Sequence, residues 1–496
     1  MATSAGPIFE LPIKIPPRGS RSRVRALQDQ LRAAIIDGRL KAGLHMPPTR
    51  ALASELGISR NAVVAAYELL LGEGYLTSRR GAGTYVARVL SRGSSRNTPA
   101  PPLTRDRRLS TFWRRPAAPI LDNTPRHAAR FNFRLGVPDK TLFPFDTWRR
   151  LSARALRTFS KTPVTQAELQ GSRKLREAIS RHVSLARAVA CQPDDIVVTT
   201  GSQQAFDLIA RILVTPGKTT VAVEEPGYAA SRAVFALAGA KIAPIRVDNE
   251  GLVVERLPAD TRVVCVTPSH QYPLGHVLSL RRRAALLEFA RKHNAVVVED
   301  DYDGEYRFGG GPLDALQTLD RAGCVFYVGT FSKCLFRELR LGFVVAPAWA
   351  RQQLVAAKAY SDYDCPAHSQ ETLATFIAEG HLARHVRKMR RVYDERRQLL
   401  LTRLLEDFGD LLEPVPSESG LHLTAFTKSV ADEERILELS HQQDIRLTSL
   451  RRFYSGRAIR PGIVLGYGAI SSEEIAEALT RLRRALGRPG IRRPAS

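Results

Sequence analysis

A lysine closes the stretch Tyr327-Val-Gly-Thr-Phe-Ser-Lys333, with Arg340 seven residues beyond it and Asp300 and Tyr302 about thirty residues before it. A lysine at the end of a small, apolar strand is partly desolvated, which lowers its pKa and lets its neutral amine form a Schiff base with an aldehyde. Asp300 follows the apolar run Ala295-Val-Val-Val298, so it is expected at the carboxyl end of a buried strand, where ligands bind in open α/β sheets. A carboxylate there could keep a pyridine nitrogen protonated. Together these groups meet the demands of pyridoxal 5'-phosphate, whose ring acts as an electron sink.

Thr199-Thr-Gly-Ser-Gln-Gln204 follows a strand and opens a helix, so Gly201, Ser202 and Gln203 could cradle a phosphate at the positive helix end. Tyr228, in Glu224-Glu-Pro-Gly-Tyr228, could stack on the pyridine face, and Tyr302 could donate to the ring's phenolic oxygen. Thr330 and Arg340 could complete the phosphate cage, since arginine suits bidentate phosphate binding. Taken singly, each residue has a plain alternative: a surface lysine, a solvated loop acid, a charge on a helix face. It is their joint order that points to a cofactor pocket.

The elements that must position these groups are legible as alternating runs. Ile196-Val-Val-Thr-Thr, Thr220-Val-Ala-Val, Val263-Val-Cys-Val-Thr, Ala295-Val-Val-Val and Val325-Phe-Tyr-Val are separated by helix-like segments, which predicts a mainly parallel sheet flanked by helices. The C-terminal hundred residues predict a smaller α+β subdomain. Upstream, residues 89–130 shift to Ser, Pro and Arg and read as a linker. The body is therefore bounded at 131–490.

Residues 20–88 form a separate pattern. Leu27, Leu31, Ala34 and Ile35 recur at helical spacing; a second helix is expected from Thr49, as its N-cap, to Leu56, and a third is capped by Ser59 and runs to about Leu71. Tyr75-Leu-Thr-Ser and Thr84-Tyr-Val-Ala, joined by Arg79-Arg-Gly-Ala-Gly83, predict a hairpin with a basic tip. Helix, turn, helix and basic wing is a geometry that places a recognition helix in the major groove of double-stranded DNA. Val63, Tyr67 and Leu70 would face the core, leaving Arg60 and Asn61 to reach base edges. Arg50, Arg79 and Arg80 suit phosphates.

Charge agrees with that division. Residues 1–130 hold 22 basic against 8 acidic side chains, a surplus of 14, which leaves 11 of the net +25 for the rest of the chain. Such asymmetry suggests a polyanion. The five scattered cysteines form no metal-ligand pattern and indicate a reducing compartment, with Cys334 a packing residue. No apolar run is long enough for a membrane span and the N-terminus lacks a signal-peptide core, so a cytoplasmic location is expected.

Met46-Pro-Pro-Thr-Arg50-Ala-Leu52-Ala53, Leu56-Gly-Ile-Ser59-Arg60-Asn-Ala62-Val63, Tyr67 and Gly81-Ala-Gly-Thr84-Tyr-Val86 resemble the winged helix-turn-helix of GntR-family bacterial regulators, departing at Pro48 and Ala62. The resemblance implies DNA contacts from Arg50, Ser59, Arg60, Asn61, Arg79, Arg80, Gly81, Gly83 and Thr84. The lysine constellation, with Phe143-Pro144-Phe145, Gly171 to Leu175-Arg176, Thr267-Pro-Ser-His-Gln-Tyr-Pro273, Glu299-Asp-Asp-Tyr-Asp303 and Leu341-Gly-Phe, looks like the fold-type I aminotransferases. The whole chain resembles the MocR subfamily, which couples the two.

That resemblance implies a head-to-tail homodimer and pyridoxal 5'-phosphate on Lys333. It also implies a small amine or amino acid, or the cofactor itself, as effector. His270 or Gln271 would lie near the ring oxygen and Arg452 would hold an effector carboxylate. Gln166, Leu274, Arg337 and Ser449 depart from the family pattern, which bears on effector identity and cofactor affinity. Two rival functions remain: an active aminotransferase with a DNA-binding arm, and a regulator whose body has lost the cofactor.

Overall fold

The computed structural model describes residues 13–17, 23–79, 83–88, 129–161, 168–309 and 313–487, which divide into a head (13–88) and a body (129–487). The linker expected over 89–130 lies outside the described residues up to 128, as do Arg80, Gly81 and Gln166. Arg130, counted with that linker, is tied to the body by Glu477 at 3.0 Å.

In the head, α1 (Arg23–Ile36), α2 (Thr49–Glu55) and α3 (Arg60–Gly72) precede a hairpin of β1 (Leu76–Arg79) and β2 (Gly83–Val86). Leu27, Leu31, Val63, Ala66, Tyr67 and Leu70 close one core, and the Tyr67 hydroxyl donates to the Pro47 carbonyl at 3.0 Å. Ser59 caps α3 as expected, accepting from Ala62 N at 3.2 Å. The expected cap by Thr49 is displaced by one residue: Pro48 takes the cap position, with φ of −55°, and Thr49 is the first helical residue. A proline lacks the N–H that a helix start leaves unused and its fixed φ suits entry.

The body opens with β3 (Phe131–Asn132), α4 (Phe145–Phe159) and α5 (Arg173–Arg187). It continues through β4 (Ile196–Thr199), α6 (Ser202–Leu213), β5 (Thr220–Glu225), α7 (Ala229–Leu237), β6 (Lys241–Asp248), β7 (Gly251–Leu252) and β8 (Thr261–Val266). Then come α8 (Leu280–His293), β9 (Val296–Asp301), α9 (Leu316–Leu319), β10 (Val325–Thr330), β11 (Gly342–Val345) and α10 (Arg351–Ala359). The eight strands run in the order β4-β11-β10-β9-β8-β5-β6-β7. Neighbours are parallel except where β11 meets β10 and β4 and where β7 meets β6. All five expected runs are strands, and every residue of β4 and β10 is buried. Strands covered by helices on both faces read as continuous apolar runs for that reason.

After α11 (Ala367–Ala378), the 28-residue α12 (His381–Phe408) leads into β12 (Leu412–Pro414), β13 (His422–Thr427), α13 (Val430–Gln442), β14 (Ile445–Arg446), β15 (Thr448–Ser449), β16 (Gly462–Gly466) and α14 (Ser472–Leu486). An antiparallel sheet of order β12-β13-β16-β15 forms the smaller subdomain. It also recruits the start of the body: β3 pairs with β14, and Gly466 N donates to Phe133 O at 3.0 Å. Gly466 is required there, because a Cβ would drive into the Arg134 carbonyl. Among the described residues no helix is long and apolar enough to cross a membrane.

Candidate cofactor and DNA sites

Sheet register gathers the expected groups at one edge. Val328 pairs with Asp300, Thr330 with Gly342, and Gly342 with Thr199, so the carboxyl ends of β9, β10 and β4 lie side by side. Lys333 follows Thr330 by three residues and its Nζ donates to the Gly136 carbonyl at 2.9 Å. Burial lowers the Lys333 pKa, against the opposing pull of Asp303 and Asp300, while Arg337 and Arg134 push it further down. The result favours the neutral, nucleophilic amine.

Gly136 is absent from the sequence reading and comes from the segment that crosses the smaller subdomain. Its φ is +62°, and a Cβ would sit 2.5 Å from Lys333 Nζ. Gly136→Ala should therefore displace the amine and weaken cofactor retention about tenfold or more, a loss of about 1.4 kcal/mol, measurable by equilibrium dialysis of the loaded protein.

Along β9 the three acids Glu299, Asp300 and Asp301 alternate in fate. Glu299 accepts from Leu316 N at 2.8 Å and Gln317 N at 2.9 Å. Asp301 is consumed by Arg187 Nε at 2.7 Å and by the Tyr327 hydroxyl at 2.6 Å. Asp300 alone of the three has a buried oxygen, Oδ1, without a hydrogen-bond partner among the described residues. Burial and the charge of Asp301 push its pKa up to about 8, with Lys333 pulling it down. It lines a cavity with Phe206, Tyr228, Ser231, Cys265 and Thr267. A buried carboxylate oxygen of this kind is costly unless a donor arrives, which is what a protonated pyridine nitrogen supplies.

At the other end of the pocket, Gly201 takes the N-cap position of α6 with φ of +88° and no side-chain cap. The Arg340 guanidinium lies 3.5 Å from the point a Gly201 Cβ would occupy, and it has no carboxylate partner among the described residues. Arg340 itself takes a left-handed φ of +51°. The guanidinium thus lies against the opening of α6, whose first turn carries Ser202 and Gln203, and a helix N-terminus beside an arginine is a setting that suits a phosphate. Thr330, buried, accepts weakly from Ser332 N at 3.3 Å.

Tyr302 and His270 belong to one network. The Tyr302 hydroxyl is 2.8 Å from His270 Nδ1 and donates to the His270 carbonyl at 3.1 Å. Asp303 lies 3.0 Å from the same Nδ1, and Ser417, from the smaller subdomain, 3.2 Å from Nε2. His270 is thus placed against Tyr302 with both ring nitrogens engaged. Gln271 turns away, donating to Pro226 O at 2.9 Å and Tyr272 O at 2.8 Å. From sequence, Asp303 and Tyr272 had no role beyond their motifs and Ser417 was not reached. His422 approaches His270 and Asp303, but its Nε2 faces the Pro273 carbonyl at 3.0 Å, so these groups are knit by hydrogen bonds.

Tyr228 and Tyr272 meet edge to face at 5.7 Å. Arg452 is exposed in the single turn Leu450–Phe453, whose Phe453 ring meets Tyr272 edge to face at 5.3 Å, which sets the turn on that side of the pocket. Its neighbour Arg451 is drawn to Glu433 at 3.2 Å and Glu434 at 3.1 Å, and Ser449 also bonds Glu433. Leu274 packs among Val415, Phe453 and Val464. Cys334 is fully buried, its Sγ 3.6 Å from the Phe331 carbonyl, a packing role.

In the head, Arg60 and Asn61 are exposed in the first turn of α3, and Arg50 is exposed in the first turn of α2. Arg79 is exposed on the wing, its guanidinium 4.7 Å from the Tyr85 ring centroid. Gly83, with φ of +99°, leaves room for the His45 ring, and the Thr84 carbonyl accepts from Met46 N at 2.8 Å.

Residues 139–482 match the family described as aminotransferase class I and II, and residues 23–86 match bacterial regulatory proteins of the gntR family. The chain is 37% identical over 468 residues to the probable rhizopine catabolism regulatory protein MocR of Rhizobium meliloti, covering 93% of each chain. It is 30% identical over 490 residues to the pyridoxine biosynthesis transcriptional regulator PdxR of Corynebacterium glutamicum, covering 97% of this chain and 99% of that one. The kynurenine aminotransferase of Pyrococcus horikoshii, solved with PMP, is 27% identical with a TM-score of 0.67, over 73% of this chain and 91% of its own. The α-aminoadipate aminotransferase LysN of Thermus thermophilus, solved with N-(5'-phosphopyridoxyl)-L-leucine, is 28% identical with a TM-score of 0.66, over 72% and 92%.

Proposed function

Since this chain belongs to the MocR-type branch of the gntR family, with a body from the class I and II aminotransferase family, we propose that it is a DNA-binding transcriptional regulator that senses a small amine or amino acid through a pyridoxal 5'-phosphate pocket. The observation that carries the cofactor half is the buried, unpartnered Asp300 oxygen beside a lysine whose pKa burial lowers.

Bound pyridoxal 5'-phosphate supplies an aldehyde open to attack by primary amines. Lys333 offers the resident amine. Asp300 would hold the ring nitrogen's proton, Tyr302 and, behind it, His270 would serve the phenolic oxygen, and Tyr228 would stack on the ring. Gly201, Ser202, Gln203, Thr330 and Arg340 take the phosphate. Lys333 would be the group an effector amine displaces, and Arg452 would hold the effector's carboxylate. The effector's unequal affinity for two arrangements of the protein then shifts DNA binding, as any ligand-driven switch requires. A head-to-tail homodimer working in the cytoplasm completes the reading.

The direct test is a visible-absorbance titration of the loaded protein with a panel of amines and amino acids, run beside DNA retardation. A spectral response with a parallel change in DNA affinity is expected. Turnover-rate conversion of the bound cofactor to its amine form would instead favour catalysis, the reading suggested by the 27–28% likeness to solved aminotransferases. For the head, Arg60→Ala should cost about 1–3 kcal/mol of operator affinity and relax specificity at one base pair. Unchanged retardation of the DNA upstream of its own gene would mean that another residue reads the bases.

A further inference from the structure

One face of α12 has no part in the pocket. Arg384, Arg387, Lys388 and Arg391 recur at i, i+3, i+4 and i+7, all exposed, while Leu382, His385, Val386, Met389 and Tyr393 bury the opposite face. None of the four basic side chains has a carboxylate partner among the described residues; Arg384 bonds only the Glu379 carbonyl at 3.0 Å and His381 at 2.9 Å. Glu379 joins this face to α4, because its carboxylate also takes Arg154, and Arg150 and Arg157 are exposed on that helix.

Charge counts show how unusual this surface is within the body. Residues 145–161 and 379–391 together carry ten Lys and Arg against Asp146 and Glu379, a surplus of eight, whereas residues 131–496 as a whole have a surplus of 11. The remainder of the body is close to balanced. A solvated helix face normally intersperses acids, since like charges at i, i+3 and i, i+4 repel by a few tenths of a kcal/mol per pair. Arg384 with Lys388, and Arg387 with Arg391, are such like pairs, and a polyanion would relieve them. The four side chains span about 10 Å along the helix, against one DNA charge per about 1.7 Å of duplex axis, so the face can meet several phosphates at once.

We propose that this face of the body is a second, sequence-independent DNA-backbone surface, in addition to the winged helix. DNA is favoured over an acidic protein because the exposed groups are guanidinium and ammonium heads without an apolar centre on the α12 face, which suits phosphates more than a protein interface. The inference rests on the chain being a DNA-binding protein. It adds that the body shares the load.

The test uses the full-length, cofactor-loaded protein and a random-sequence duplex, with affinity measured by fluorescence anisotropy across a salt series. The quadruple variant Arg384→Gln, Arg387→Gln, Lys388→Gln and Arg391→Gln should flatten the slope of log affinity against log salt by about 2–4. At low salt it should bind about tenfold or more weakly. A matched variant neutralising Arg256, Arg262, Arg281 and Arg291, elsewhere on the body, should keep the wild-type slope, and replacing the three arginines of the face by lysine should also keep it. Unaltered melting and cofactor content establish that the quadruple variant is folded. A wild-type slope in the quadruple variant overturns the proposal, as does an equal flattening in the matched variant. Failure of the wild-type protein to bind any duplex would instead overturn the DNA-binding reading itself.

Discussion

Lys333→Ala should abolish the visible absorbance of the loaded protein and weaken retention of pyridoxal 5'-phosphate on the order of a hundredfold, about 2.7 kcal/mol. The phosphate cradle at Gly201 and Arg340 and the carboxylate of Asp300 remain in the variant, so binding should be diminished and reversible, whereas the wild-type protein is expected to retain its cofactor on dialysis. Removing the amine also leaves the Gly136 carbonyl without its 2.9 Å donor and strips Asp300 and Asp303 of the cation that lowers their pKa. Effector-dependent changes in DNA retardation should vanish together with the absorbance. Effector-free DNA binding should persist within about twofold, because no residue of the head is altered. A variant with the wild-type spectrum would show that the cofactor is held by some other amine.

Strands and site were legible to different depths, for physical reasons. The runs at 196–199, 220–225, 261–266, 296–301 and 325–330 are buried along most of their length and so carry the apolar stretches Ile196–Val198, Val221–Val223, Val263–Val266, Val296–Val298 and Val325–Val328, which sequence displays directly. The strand Lys241–Asp248 mixes Lys241, Pro244 and Arg246 with apolar residues at partly exposed positions, and such a strand leaves a faint signature. The four residues of Gly342–Val345 pair antiparallel between two otherwise parallel neighbours, an order that only the folded sheet discloses. Lys333, Asp300 and the start of α6 were found because each terminates or follows a strand, and strand ends can be read locally. Gly136 lies 197 residues before the lysine whose amine it accepts. Ser417 lies 147 residues beyond the histidine it touches. Contacts at those separations leave no local periodicity to read.

Asp300→Asn should make the empty protein more stable and the loaded protein less so. The Asp300 carboxyl titrates near 8 in the folded body and near 3.9 in an unfolded chain. Below about pH 4 both states hold the proton and the group's contribution is fully present. As pH rises toward 8 the unfolded chain has released the proton that the folded body retains, so the contribution is lost at up to about 1.4 kcal/mol per pH unit. At pH 8 the empty wild-type protein therefore carries a penalty on the order of a few kcal/mol that asparagine escapes, and the variant should melt about 5 °C higher. Near pH 4 the two should differ little, and at pH 5 by only about a quarter of the pH 8 difference. Glu224 and Glu299, each raised to about 7 by burial, add the same trend to both proteins and cancel in the difference. Saturating pyridoxal 5'-phosphate reverses the order, because a ring-nitrogen proton satisfies an ionised Asp300, whereas the asparagine amide leaves the ring nitrogen without a charged partner. Affinity should fall about a hundredfold. Melting curves at pH 5 and pH 8, with and without the cofactor, read both effects in one experiment. Equal melting of the two empty proteins at pH 8 would mean that the carboxylate finds a partner in solution and that Oδ1 is not the atom the cofactor satisfies.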